Sequence, residues 1–277
     1  MKVVKDLSWC YEKWRSGQDV VFADCRFDLH DPDKGIERYR KGHIPSAVYF
    51  DLEKDLSSEV KETGGRHPLP RMEDFVETLQ QAGISSDTTV IAYDDNHAFA
   101  SRFVWLLTFL GHENVYLLNG GIKAWKEAGY PVDQDMTPRN KTTFKANVHK
   151  EFVADQDDVR ERLNHENVAI VDSRSYERYA GIHEPIDAKA GHIPGALNYF
   201  WMDLFDERGF WKEPEQLKEH FYQLNSYDEI IVYCGSGVTA APNVISLWEA
   251  GFQHVRLYVG SFSDWISNPE NKIDTCN

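Results

Sequence analysis

Short, unbroken apolar runs punctuate a mostly polar chain. They are Val20-Val21-Phe22-Ala23, Val90-Ile91-Ala92-Tyr93 and Val115 to Leu118 in the first half, then Val168-Ala169-Ile170-Val171, Ile230-Ile231-Val232-Tyr233 and Val255 to Leu257 in the second. Runs this short, with no polar alternation, predict strands buried on both faces, as in a parallel sheet. Longer segments with helical spacing lie among them, near Leu7 to Ser16, Ala98 to Leu110, Pro214 to Leu224 and Val238 to Ala250. Strands alternating with helices predict an α/β fold whose central parallel sheets are flanked by helices.

The order of elements occurs twice. Asp24-Cys25-Arg26 and Asp172-Ser173-Arg174 follow matching apolar runs 148 residues apart, and Gly42-His43-Ile44-Pro45 and Gly191-His192-Ile193-Pro194 stand 149 apart. Further on, Tyr93 matches Tyr233, Gly120 matches Gly260 and Trp125 matches Trp265, now at an offset of 140. The change of offset places a loop of variable length between the second and third matches, where insertions cost little. The chain is therefore expected to hold two tandem domains, residues 1–130 and 148–277, joined by a linker at 131–147. The stretch from Pro131 to Thr142 is polar, contains Pro131 and Pro138, and lacks periodicity.

Composition narrows the partners. The 277 residues suit two domains, and 45 Asp and Glu against 30 Lys and Arg give a net charge of -15, which offers no footprint for nucleic acid or an anionic membrane. No run approaches the ~20 apolar residues of a membrane span, and the first residues lack a secretory pattern, so a cytoplasmic location is expected. Cys10, Cys25, Cys234 and Cys276 form no C-x-x-C pair, so free thiols and no metal or other cofactor are expected.

The chemistry points to Cys234-Gly235-Ser236-Gly237-Val238-Thr239, which follows the run Ile230 to Tyr233 and precedes a helix expected to begin near Ala240. Two glycines let successive N–H groups turn inward at the positive end of that helix, an environment that stabilises a thiolate. Loop N–H groups from Gly235 to Thr239 would cradle the anion, and the Thr239 hydroxyl could fasten the loop. The first copy carries Asp94-Asp95-Asn96 at the equivalent place, so only the second is expected to be reactive. Asp24, Arg26, Asp172 and Arg174 recur in both copies and are assigned to the fold. A phosphatase of the strand–loop–helix type needs an arginine at position 240, where this chain has Ala240. A disulfide reductase lacks a neighbouring resolving cysteine.

The paired Asp-x-Arg and Gly-His-Ile-Pro elements, together with the Cys-Gly-Ser-Gly-Val-Thr loop, resemble the tandem-domain rhodanese family over nearly the whole chain. The resemblance implies a catalytically silent N-terminal domain and a C-terminal Cys234 that takes sulfur from 3-mercaptopyruvate or thiosulfate as a persulfide. It then passes the sulfur to a thiol, a thioredoxin-like protein or cyanide. It also implies that Arg178 binds the anionic part of the donor, and that His43 is a candidate proton relay through Ser236 with Asp31 or Asp33. The neutral Gly235 and Ser236 resemble the 3-mercaptopyruvate class, yet the second arginine of that class, nine positions on, is replaced by Asp187. Either another cation such as Lys189 substitutes for it or the donor differs. The alternative to an enzyme is a sulfur carrier or interaction module.

Overall fold

The computed structural model describes residues 2–276. Its first half runs β1 (Val4–Lys5), α1 (Leu7–Arg15), β2 (Val20–Asp24), α2 (Asp33–Lys41), β3 (Val48–Tyr49), α3 (Met72–Gln81), β4 (Thr89–Tyr93), α4 (Ala98–Phe109), β5 (Val115–Leu118) and α5 (Gly121–Glu127). The second half repeats this with β6 (Val153–Ala154), α6 (Gln156–Arg162), β7 (Val168–Asp172), α7 (Tyr176–Tyr179), β8 (Leu197–Asn198), α8 (Pro214–His220), β9 (Glu229–Tyr233), α9 (Ala241–Ala250), β10 (Val255–Tyr258) and α10 (Ser261–Trp265).

Each half forms one parallel five-stranded sheet, with orders β1-β5-β4-β2-β3 and β6-β10-β9-β7-β8. The registers correspond, Asp24 standing beside Tyr93 in one sheet and Asp172 beside Tyr233 in the other. The central strands are buried after their first residue because helices cover both faces. Outer-face cores gather around Phe22, Ile91 and Trp125 in the first half, and around Ile170, Ile231 and Trp265 in the second.

The inner faces share one core. Phe99, Phe103 and Leu107 of α4 belong to the same buried cluster as Val244, Ile245 and Trp248 of α9. Every residue of α4 is buried, since one side meets its own sheet and the other meets the second half. Burying each large side chain of this kind contributes roughly 1.5–3 kcal/mol, so the halves are bound through a true interior.

The recurring motifs hold the strand ends in place. Arg26 pairs with Asp24 at 2.6 Å and donates to the Gly42 carbonyl at 2.9 Å, while Arg174 pairs with Asp172 at 2.6 Å and donates to the Gly191 carbonyl at 2.7 Å. The segment after residue 130 does not stand free. The Asp133 N–H donates to the His43 carbonyl at 2.8 Å, Arg139 donates to the Ser46 carbonyl at 2.7 Å, and the Thr142 hydroxyl donates to the Ile84 carbonyl at 2.7 Å. Asp274 meets His192 in the same way, so the connection and the C-terminal tail are equivalent straps.

Candidate active site

Strand β9 delivers Cys234 to the carboxyl edge of its sheet, where a parallel α/β fold places ligands. The Cys234 N–H donates to Ser261 Oγ at 3.1 Å, and its sulfur accepts the Gly237 N–H at 3.2 Å. Of the amides expected to converge, that of Gly237 bonds the sulfur. Gly237 has φ +76°, and a Cβ there would strike the Val259 carbonyl, so the loop requires glycine at this position. Gly235 is small for another reason: a Cβ would lie 2.8 Å from Arg66 Nη2 and 3.3 Å from Arg178 Nη2. The half-buried Thr239 hydroxyl bonds no other described residue, so the fastening expected of it is absent. Arg102 Nη1 instead grips the loop at the Gly237 carbonyl, 3.1 Å away.

The first half roofs this loop through a segment that sequence reasoning overlooked. The Gly64 N–H donates to Asp264 Oδ1 at 2.6 Å, and the Arg66 N–H donates to Ser263 Oγ at 3.1 Å. The side chain of Arg66 then pairs with Asp187, whose other oxygen accepts from Arg178 at 2.8 Å. Arg178 also pairs with Glu184 at 2.9 Å. Asp187 thus ties together two guanidiniums from opposite halves above Gly235. The second cation near the loop is Arg66, whereas Lys189 is exposed.

His67, next in the same segment, places Nδ1 2.8 Å from the Ser236 hydroxyl. Burial, reinforced by Arg102 and Arg66, pushes His67 down to about 3, so its imidazole is neutral at physiological pH. The relay expected of His43 is therefore corrected. His43 is fully buried, bonds the Tyr39 carbonyl through Nδ1 at 2.8 Å and stacks on the Tyr39 ring at 4.0 Å. His192 does the same with Tyr179, at 2.8 Å and 3.9 Å, so these histidines build turns. Ser236 answers to His67, and neither Asp31 nor Asp33 enters its hydrogen bonding.

Cys234 is only 1 % exposed and belongs to the shared inner core, with the Gly237 amide on its sulfur and the Ser236–His67 pair and the guanidiniums above Gly235 on the neighbouring loop residues. Among the described residues no cluster suited to a metal ion occurs.

The model of the rhodanese-like domain matches residues 7–128 and again 155–268. The chain belongs to the rhodanese-like family. It is 41 % identical over 266 residues to a probable 3-mercaptopyruvate sulfurtransferase of Pseudomonas aeruginosa, covering 94 % of each chain. It is 30 % identical to a thiosulfate sulfurtransferase of Rattus norvegicus, over 96 % of this chain and 93 % of that one. Among solved structures it superposes on SseA from Escherichia coli, described as a 3-mercaptopyruvate sulfotransferase of rhodanese fold. The TM-score is 0.82 at 30 % identity, covering 95 % of this chain and 100 % of that one.

The two rhodanese-like units differ at one loop for a visible reason. The carboxylate of Asp94, at the position of Cys234, accepts N–H groups from Asn96 at 3.1 Å, Phe99 at 2.8 Å and Ala100 at 2.9 Å, besides that of His97. The amides at the head of α4 are already occupied by an internal carboxyl group. Burial outweighs these bonds and pushes the Asp94 carboxyl up to about 7. The covers differ as well. The His97 ring stacks on Phe205 at 5.0 Å, and a Cβ on Gly120 would lie 2.7 Å from the Phe210 ring, so aromatic side chains cover the first loop while Arg66 and His67 cover the second. Cys10 and Cys25 are buried, which pushes both thiols up and leaves them unreactive; Cys276 is exposed.

Proposed function

We propose that the protein is a sulfurtransferase that takes sulfur from 3-mercaptopyruvate onto Cys234 and hands it to a thiol, a thioredoxin-like protein or cyanide. The C-terminal domain carries the chemistry, and the N-terminal domain, ending near residue 130, is catalytically silent. The Cys234 thiolate attacks the donor sulfur, an S–S bond forms, and the C–S bond breaks with its electron pair going to carbon. The pyruvate enolate takes up a proton, equivalent to the one given up by the two thiols, and Cys234 is left as a persulfide. The Ser236–His67 hydrogen bond supports a relay of that proton through this pair. The acceptor thiol or cyanide then removes the outer sulfur. Four free cysteines suit a reducing compartment such as the cytoplasm.

The arrangement above Gly235 carries the choice of donor. Arg178 and Arg66 present planar donors suited to a carboxylate, while Asp187 and Glu184 cancel their formal charge. A singly charged carboxylate donor fits such a site better than dianionic thiosulfate. Arg66, paired with Asp187, keeps a third of its side chain exposed at the rim of this roof. Side-by-side steady-state kinetics tests the reading. Mercaptopyruvate should give the higher kcat/KM, and Arg178→Ala should raise the KM for it about tenfold or more while leaving acceptor dependence unchanged. A preference for thiosulfate, or an unmoved KM, would contradict the assignment, and a single turnover released only to a protein would indicate a carrier.

A further inference from the structure

Arg102 is fully buried on α4, in the silent half. Its Nε and Nη2 donate to the Leu56 carbonyl at 3.3 and 3.1 Å, and Nη2 also donates to the carbonyls of His67 at 2.9 Å and Pro68 at 3.2 Å. Its Nη1 crosses to the other half and donates to the Gly237 carbonyl at 3.1 Å. Among the described residues no carboxylate lies within ion-pair distance of it, whereas Arg26 and Arg66 have one each and Arg174 and Arg178 have two. Carbonyl oxygens satisfy hydrogen bonds but do not neutralise a charge, and an unpaired buried charge is costly.

We propose that Arg102 is the counter-charge of the Cys234 sulfur anion, lent to the reactive loop by the half whose own loop lacks a thiol. The groups on the far side of the loop cannot serve, because Arg66 and Arg178 are matched by Asp187 and Glu184. His67, between Arg66 and Arg102, is neutral. One cation therefore remains, and it grips Gly237, the residue whose N–H bonds the sulfur. Burial pushes the Arg102 guanidinium down to about 10, and the Cys234 charge acts in the opposite direction. It is still protonated at neutral pH. Arg102 is thus a positioning residue that fixes Gly237 and balances the anion. The silent half thereby adds a charge to the reactive loop besides the cover that its Arg66 and His67 supply.

The inference rests on the sulfurtransferase reading only in taking Cys234 as the reactive thiol, and its test needs no sulfur donor. The rate of alkylation of Cys234 by iodoacetamide is followed against pH, with peptide masses separating it from the exposed Cys276. In Arg102→Met the midpoint of the profile should move up by about one to two pH units, and in Arg102→Lys by less than half as much. A folded Arg102→Met protein with an unmoved midpoint overturns the proposal. If Arg102→Met does not fold, the wild type decides in about 1 M salt, which screens Arg66 and Arg178 but not Arg102. In that salt the wild-type midpoint should stay within about half a pH unit of its low-salt value, and a rise of about one unit or more overturns the proposal. Sulfur transfer that fails while the alkylation profile shifts would count against the enzymatic reading alone.

Discussion

Asp187 stands nine residues after Arg178, where the sequence resemblance implies a second arginine, and an acidic group cannot clamp a carboxylate. In the folded chain it pairs with Arg66, the cation we propose for this duty, which arrives from the other half. Asp187 thereby holds both guanidiniums over Gly235 and offsets their positive charge. Asp187→Asn keeps the shape and removes one negative charge, so the ratio of kcat/KM for thiosulfate to that for mercaptopyruvate should rise about tenfold. A ratio that stays constant would show that charge at this position does not select the donor. Thr239 offers the opposite lesson at the same scale, because its hydroxyl bonds no described residue and Arg102 does the fastening expected of it.

Among elements, the strands and long helices were legible because their signal is local: β2, β4, β7 and β9 coincide with unbroken apolar runs, and α4 and α9 with the longest apolar helical segments. The repeat exposed Cys234 by contrast with Asp94, and it separated structural from reactive residues correctly for Arg26 and Arg174. It could not expose Arg66 or His67, which lie in Gly64-Gly65-Arg66-His67 with no matching motif in the second half, nor Arg102, whose burial depends on packing between halves. His43 misled because a recurring histidine meets the pattern of a relay as well as that of a turn. The cover of the first loop carries its own pH signature. His97 bonds the Gly209 carbonyl at 2.8 Å, and burial pushes it down from 6.5 to about 4. The unfolded chain then binds the extra proton across that window, so His97 supports the fold above pH 6.5 and withdraws that support as pH falls toward 4. Asn accepts the φ of 70° found there, so His97→Asn isolates the effect. Wild type should lose its stability advantage over this variant between pH 6.5 and 4 in denaturant titrations. A constant advantage would mean that His97 charges freely in the fold.

Across the whole molecule, two copies of one α/β unit are packed face to face through a shared core. Each reaches over the other's strand-end loop: one through Arg66 and His67 onto Ser236 and Ser263, the other through Gly209 and Trp211 onto His97 and Asn119. One loop is filled by its own carboxyl group beneath aromatic rings, and the other keeps a sulfur beneath guanidiniums held by Asp187. The shared core of α4 and α9 makes this geometry a property of the intact chain rather than of either half. The central claim is that Cys234 accepts sulfur covalently, and intact-protein mass spectrometry after brief exposure to mercaptopyruvate without acceptor tests it most directly. The account predicts a gain of one sulfur atom on the peptide carrying Cys234, reversed by cyanide and absent in Cys234→Ser; an unmodified Cys234, or the same gain in Cys234→Ser, would contradict it.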